Sequence, residues 1–152
     1  MPTKQETDSL YMGIAICYSQ LSKAVRATVG ACLVTEHGVV LGGVNGMPVG
    51  GSNVCEDTIY QPYQPYENIP APILVTKPEC IHAELNAILK AAKEGVSCFN
   101  ATMYTTLSPC KPCAAMLINA GIKKLVYQQE YRDNSGVQLL QQHGITVEEY
   151  QT

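Results

Sequence analysis

The sequence predicts an α/β fold, a three-layer α/β/α sandwich around a central mixed five-stranded sheet. Three observations carry the prediction. Five short β-rich runs alternate with segments of helical periodicity, glycine or proline punctuates most of the boundaries, and 152 residues suffice for one core but not for two. Residues 1–152 are therefore expected to form a single domain.

The elements follow in chain order. Leu10, Ile14, Cys17 and Leu21 share one side of a helix expected over 8–23. Two strands, 29–35 and 39–44, are joined by Glu36-His37-Gly38, a hairpin-type turn in which His37 is a solvated loop residue and no ligand. Residues 45–79 hold many of the glycines, prolines and tyrosines and read as a long irregular segment. Its length points to a functional loop, a binding lid or disorder. Within it, Gln61-Pro62-Tyr63-Gln64-Pro65-Tyr66 duplicates a tripeptide, which is no architectural repeat; surface packing and aromatic contacts to a ligand or neighbouring subunit both fit it.

Leu85, Ile88, Leu89 and Ala92 recur at helical spacing and predict a helix over 81–94, stopped by Gly95. A strand over 101–107 leads into Ser108-Pro109-Cys110. A second helix, 110–120, has Pro112 in its first turn and Gly121 at its end. A strand over 123–127, a helix over 135–143 and a strand over 145–150 complete the series, with His143 beside Gly144 reading as a C-terminal cap.

Chemistry is concentrated in His82-Ala83-Glu84 and Pro109-Cys110-Lys111-Pro112-Cys113. His82, Cys110 and Cys113 are three strong zinc ligands, and a zinc held by three protein ligands keeps its fourth tetrahedral position for water, as catalytic sites do. Glu84 need not be a ligand and is free to move protons between water, a substrate ring nitrogen and a departing amine. The pattern matches the zinc deaminase signature. Both ligand groups open helices, where the macrodipole favours thiolate over thiol. A lone Cys-x-x-Cys could equally be a redox pair or half of a structural zinc site. A structural site, however, has no use for Glu84.

Composition narrows the partners. The formal net charge is −3, and the only adjacent basic pair is Lys123-Lys124, with Arg132 farther on, so there is no stripe of the kind that holds a polynucleotide. Nucleic acid is therefore not the expected partner, whereas one small nucleotide remains compatible. No apolar span of membrane length and no secretory leader is visible, and the seven scattered cysteines read as reduced thiols, so a cytoplasmic location with no membrane partner is expected.

Further segments add to the zinc signature: Val29-Gly30-Ala31, Asn45-Gly46-Met47-Pro48-Val49-Gly50, His82-Ala83-Glu84-Leu85-Asn86-Ala87-Ile88 and Ala120-Gly121-Ile122-Lys123-Lys124-Leu125-Val126-Tyr127. Together they resemble the deoxycytidylate (dCMP) deaminase family of the cytidine-deaminase-like fold, over most of the chain. The resemblance implies one catalytic Zn²⁺ per subunit on His82, Cys110 and Cys113, proton transfer by Glu84, and hydrolysis of dCMP to dUMP for thymidylate synthesis. It implies that Asn45 meets the deoxyribose hydroxyl and that Arg26, Tyr131 and Arg132 meet the phosphate. It also implies a homo-hexamer activated by dCTP and inhibited by dTTP with Mg²⁺, the effector lying against Gly42, Gly43, Gly46, Gly50 and Asn86. Val44 departs from the tyrosine usual there, and no histidine lies between Asn45 and Ile81 to hold a second, structural zinc. Alternatives are a related deaminase acting on dCTP, a modified dCMP or an RNA base; a non-catalytic nucleotide sensor; and a structural zinc module.

Overall fold

The computed structural model describes residues 1–60, 62 and 71–152. Its elements are α1 (Lys4–Ser19), β1 (Gly30–Val34), β2 (Val40–Val44), β3 (Glu56–Ile59), β4 (Ile73–Thr76), α2 (Ala83–Glu94), β5 (Thr102–Leu107), α3 (Lys111–Ala120), β6 (Lys124–Gln129), α4 (Ser135–Gln142) and β7 (Thr146–Glu149). Five strands form one sheet in the order β2-β1-β5-β6-β7. β1 runs antiparallel to β2 and β5, whereas β5, β6 and β7 are mutually parallel, so the sheet is mixed.

Side-chain alternation along the central strands builds the layers. Ala31, Leu33, Met103 and Leu125 face α2, α3 and α4, and their neighbours Cys32, Tyr104 and Val126 face Met12 and Ala15 of α1. Each strand thus feeds two cores, as strands buried on both faces must. Two glycines permit the close approach of helix to sheet: a Cβ on Gly30 would collide with the Ala15 carbonyl oxygen, and one on Gly43 would lie 2.2 Å from that of Ala83. No helix among the described residues is long and apolar enough to cross a membrane.

Two expectations are corrected. The first helix begins earlier, at Lys4, where Thr3 and Glu6 form a reciprocal capping box, and it ends at Ser19. Its buried face is Asp8, Met12 and Ala15; Leu10, Cys17 and Leu21 are exposed, and only Ile14 of the expected stripe packs inward. The polar Asp8 opens the inward stripe because Tyr104 Oη and Lys4 Nζ both donate to it, at 2.8 and 2.7 Å. The second correction concerns 45–79, which is not irregular throughout: β3 and β4 pair antiparallel, from Glu56 opposite Thr76 to Ile59 opposite Ile73. The duplicated Gln-Pro-Tyr stretch lies almost wholly outside the described residues.

A small bridge positions the site. Gly46 and Ile81 exchange both backbone hydrogen bonds, N–H to carbonyl at 3.0 and 2.8 Å. The end of β2 is thereby tied to the residue that precedes His82.

Candidate metal centre and active-site pocket

His82 and Cys110 occupy the N-cap positions of α2 and α3, both with extended backbone and neither using its side chain as a cap. Both side chains are therefore free to turn toward each other, while Pro112 in the first turn of α3 needs no amide partner. Cys113, one turn into α3, completes the group: the ligand atoms of the three residues all lie within 4.8 Å of one another. His82 Nδ1 is 3.2 Å from Cys113 Sγ and 3.5 Å from Cys110 Sγ. A tetrahedron with zinc–nitrogen and zinc–sulfur bonds of about 2.0 and 2.3 Å has nitrogen-to-sulfur edges of about 3.5 Å, so the donor set fits Zn²⁺. Among the described residues no other cluster of three potential ligands occurs.

The local electrostatics suit a cation. The hydrogen bond from Cys113, with a further one from His82, brings the Cys110 thiol down to about 4 against the opposing effect of burial. Cys113, hydrogen-bonded to that thiolate and buried, keeps its proton well above the usual thiol range, and His82 is raised first of all by its contact with Cys110. Glu84, in the first turn of α2, is only 4% exposed, and that burial raises its carboxyl above the ordinary range. Thr105 Oγ1 of β5 lies 3.3 Å from Glu84 Oε1 and 2.9 Å from the Leu107 carbonyl oxygen.

A cavity of about 510 Å³ opens beside His82 and Cys110, a size suited to a small molecule. His82, Glu84 and Cys110 contribute one wall, and Arg26, Asn45, Tyr131 and Arg132 contribute others. The four residues expected to meet sugar and phosphate are thus gathered from three separate parts of the chain onto the metal cluster's own cavity. The Arg132 guanidinium lies over the Tyr131 ring at 5.8 Å, and Tyr131 is held by its N–H, which donates to Ser108 Oγ at 2.7 Å. Asn45 is already engaged: Oδ1 accepts from the Val29 N–H and Nδ2 donates to the Ala27 carbonyl, both at 2.8 Å. One amide proton and one lone pair of that side chain remain for a ligand.

The residues expected to meet an effector are not among those lining this cavity. Gly42 and Gly43 lie inside β2, where Cβ atoms would strike the Tyr18 ring and α2 respectively. Asn86 Nδ2 donates to the Val44 carbonyl at 2.7 Å, and Lys90 Nζ donates to that of Gly42, so both side chains blunt the edge of the sheet. Gly46 makes the bridge to Ile81, and Gly50 adopts a φ of 84° in a turn, a conformation that favours glycine.

Several residues in or beside the cavity escape a reading of the sequence. Ser108 and Thr105 flank the visible motif, and their hydroxyls in Thr-Thr-Leu-Ser-Pro-Cys are the signal that was there to use. Glu56 and Thr76, by contrast, reach the cavity from β3 and β4, and no local pattern marks them.

The family pattern described as the cytidine and deoxycytidylate deaminase zinc-binding region matches residues 5–129. The deoxycytidylate deaminase of Enterobacteria phage T4 is 38% identical over 153 aligned positions, covering 83% of this chain and 79% of that protein. The Homo sapiens deoxycytidylate deaminase is 36% identical over 132 positions, covering 85% and 68%. Among solved structures, the dCMP deaminase from the cyanophage S-TIM5, crystallised in complex with dCMP and dUMP, superposes with a TM-score of 0.81 at 37% identity, covering 97% of this chain and 99% of that one. The zinc ligands, the buried glutamate beside them and a match spanning most of the sequence agree: the chain belongs to the cytidine and deoxycytidylate deaminase family.

Proposed function

We propose that the chain hydrolyses dCMP to dUMP and ammonia. The observation that carries this reading is the presence of two arginines, Arg26 and Arg132, on the cavity that also holds His82, Glu84 and Cys110. A single phosphate suits that pair, because a guanidinium grips phosphate oxygens with parallel N–H donors.

Zn²⁺ held by His82, Cys110 and Cys113 supplies the Lewis acidity that ionises water near neutral pH. Glu84 takes the proton that the attacking water loses, delivers it to N3 of the cytosine ring, and carries a second proton to the departing 4-amino group, so that water and dCMP balance against dUMP and ammonia. Its burial suits the task, since a carboxyl raised by desolvation holds a proton closer to working pH. Arg26, Tyr131 and Arg132 orient the phosphate, and the remaining N–H of Asn45 donates to the deoxyribose hydroxyl.

The same reading extends to supply of dUMP for thymidylate synthesis, a cytoplasmic location, a homo-hexamer, and activation by dCTP with inhibition by dTTP carried on Mg²⁺. With Gly42, Gly43 and Asn86 occupied in packing and edge capping, the effector part rests on the turn at 46–51 and on the resemblance.

The test is ammonia release from dCMP, dCTP, cytidine and a tRNA anticodon loop, with and without dCTP and dTTP as effectors. Preference for dCMP, and loss of about 10²-fold or more of that turnover in Glu84→Gln with zinc retained, is expected. Near-normal activity in Glu84→Gln, or preference for another substrate, overturns the reading.

A further inference from the structure

Arg26 sits on the irregular connection between α1 and β1 and is exposed, a setting in which neither backbone nor guanidinium is fixed by secondary structure. Its conformation is instead imposed by the β3–β4 hairpin, at two points. The Val25 and Arg26 N–H groups both donate to Glu56 Oε1, at 2.8 and 3.0 Å, and Arg26 Nη1 donates to Thr76 Oγ1 at 3.2 Å. Glu56 and Thr76 face each other across the first register pair of that hairpin. Asn45 holds the next stretch of the same connection, through Ala27 and Val29.

Glu56 is only 7% exposed, and a buried carboxylate weakens a fold unless its hydrogen bonds compensate. Two backbone N–H groups aimed at one of its oxygens are a charge-assisted arrangement, stronger than ordinary amide pairing. Their effect is to remove freedom from Arg26 before any anion arrives, which lowers the ordering cost of binding.

We infer that Glu56 and Thr76 are positioning residues that hold Arg26 ready for the 5′-phosphate, so that the hairpin sets the preference for a nucleotide over its nucleoside. The inference rests on the reading of the cavity as a nucleoside monophosphate site. Neither residue touches the reacting atoms, and the consequence is confined to the phosphate end of the substrate.

The experiment compares dCMP with deoxycytidine as substrates of the zinc-loaded protein. Thr76→Val and Glu56→Ala are each expected to raise KM for dCMP about tenfold, with kcat within twofold and kcat/KM for deoxycytidine unchanged. Thr76→Ser, which keeps the acceptor hydroxyl, and Glu56→Gln, which keeps an acceptor oxygen, are expected to restore the wild-type KM. In an Arg26→Ala background Thr76→Val is expected to add nothing, because both changes remove one arrangement. Thr76→Val replaces the hydroxyl by a methyl of similar size, so it remains decisive where Glu56→Ala fails to fold. An unchanged KM for dCMP in Thr76→Val, or an equal loss on both substrates, overturns the inference while leaving the deaminase reading intact. Wild-type protein that releases ammonia from neither substrate overturns both.

Discussion

Thr105 Oγ1 lies 3.3 Å from Glu84 Oε1, reaching up from β5 to the carboxylate in the first turn of α2. The same hydroxyl lies 2.9 Å from the Leu107 carbonyl, and a hydroxyl has one proton for these two acceptors. Thr105 thus holds the Glu84 carboxylate in register with the strand that leads into the Cys110 loop. Thr105→Val is expected to lower kcat about ten- to a hundredfold, the cost of losing a hydrogen bond to a charged group, with KM for dCMP little changed. Steady-state kinetics on purified, zinc-loaded variant checks this; a change confined to KM would mean that the threonine acts on binding instead.

Metal removal separates chemistry from folding. His82 and Cys110 stand at helix N-caps, at the rim of the sheet, whereas Ala87, Ala91 and Leu117 of the same helices are buried against it. Chelation is expected to abolish deamination and lower Tm while the far-UV circular dichroism of the fold persists, with activity returning on adding Zn²⁺. Cooperative loss of the spectrum on chelation would show that the metal is a condition of folding, as in a structural zinc module.

The first turn of α4 presses on the ligand loop. A Cβ on Gly136 would lie 2.2 Å from the Pro109 carbonyl oxygen and 2.8 Å from that of Cys110, and both are backbone atoms that cannot swing aside. Gly136→Ala is expected to destabilise the protein by about 1–3 kcal/mol, as overpacking does, and to reduce zinc stoichiometry because Cys110 is displaced. Denaturant unfolding together with metal analysis measures both effects.

One network makes a pH-dependent contribution to stability. Burial pushes Asp8 up, but the hydrogen bonds from Lys4 and Tyr104 outweigh it and hold the carboxyl below 3.8; contact with Lys4 likewise holds Glu148 below 4.5. Lys4 itself is raised above 10.5 by its bonds to both carboxylates. The carboxylates bind protons less readily folded than unfolded, so their share of stability is present above 4.5 and is lost as pH falls through the depressed values. The lysine works in the opposite sense: its share is present below 10.5 and is lost as pH rises through the raised value. Lys4→Met is therefore expected to lower Tm at pH 7, with the gap to wild type closing on acidification. A gap that is constant across the acid range contradicts this.

The metal centre was legible in the sequence because its determinants are local. His82 and Glu84 are two apart, Cys110 and Cys113 three apart, and the helices they open end at Gly95 and Gly121, both left-handed C-caps. The central sheet was legible for the same reason, each strand being a β-rich run. What escaped was held by distant partners. The inward face of α1 includes a carboxylate, which hydrophobic periodicity rejects; Asp8 is acceptable inside because Tyr104, 96 residues away, donates to it alongside the nearby Lys4. In β3, Glu56 and Asp57 argue against a strand; Glu56 is buried there because the backbone of Val25 and Arg26 supplies its hydrogen bonds.

The pairing of Gly46 with Ile81 turns residues 47–80 into an excursion whose two ends meet. Closing such a loop costs only about 0.6 kcal/mol more for each doubling of its length. Insertions or deletions in that stretch therefore leave Asn45 and His82 in place, provided that Glu56 and Thr76 return to Arg26. His82, Cys110 and Cys113 stand on the frame outside the bridge, whereas the strands that hold Arg26 belong to a segment that can change length without displacing them.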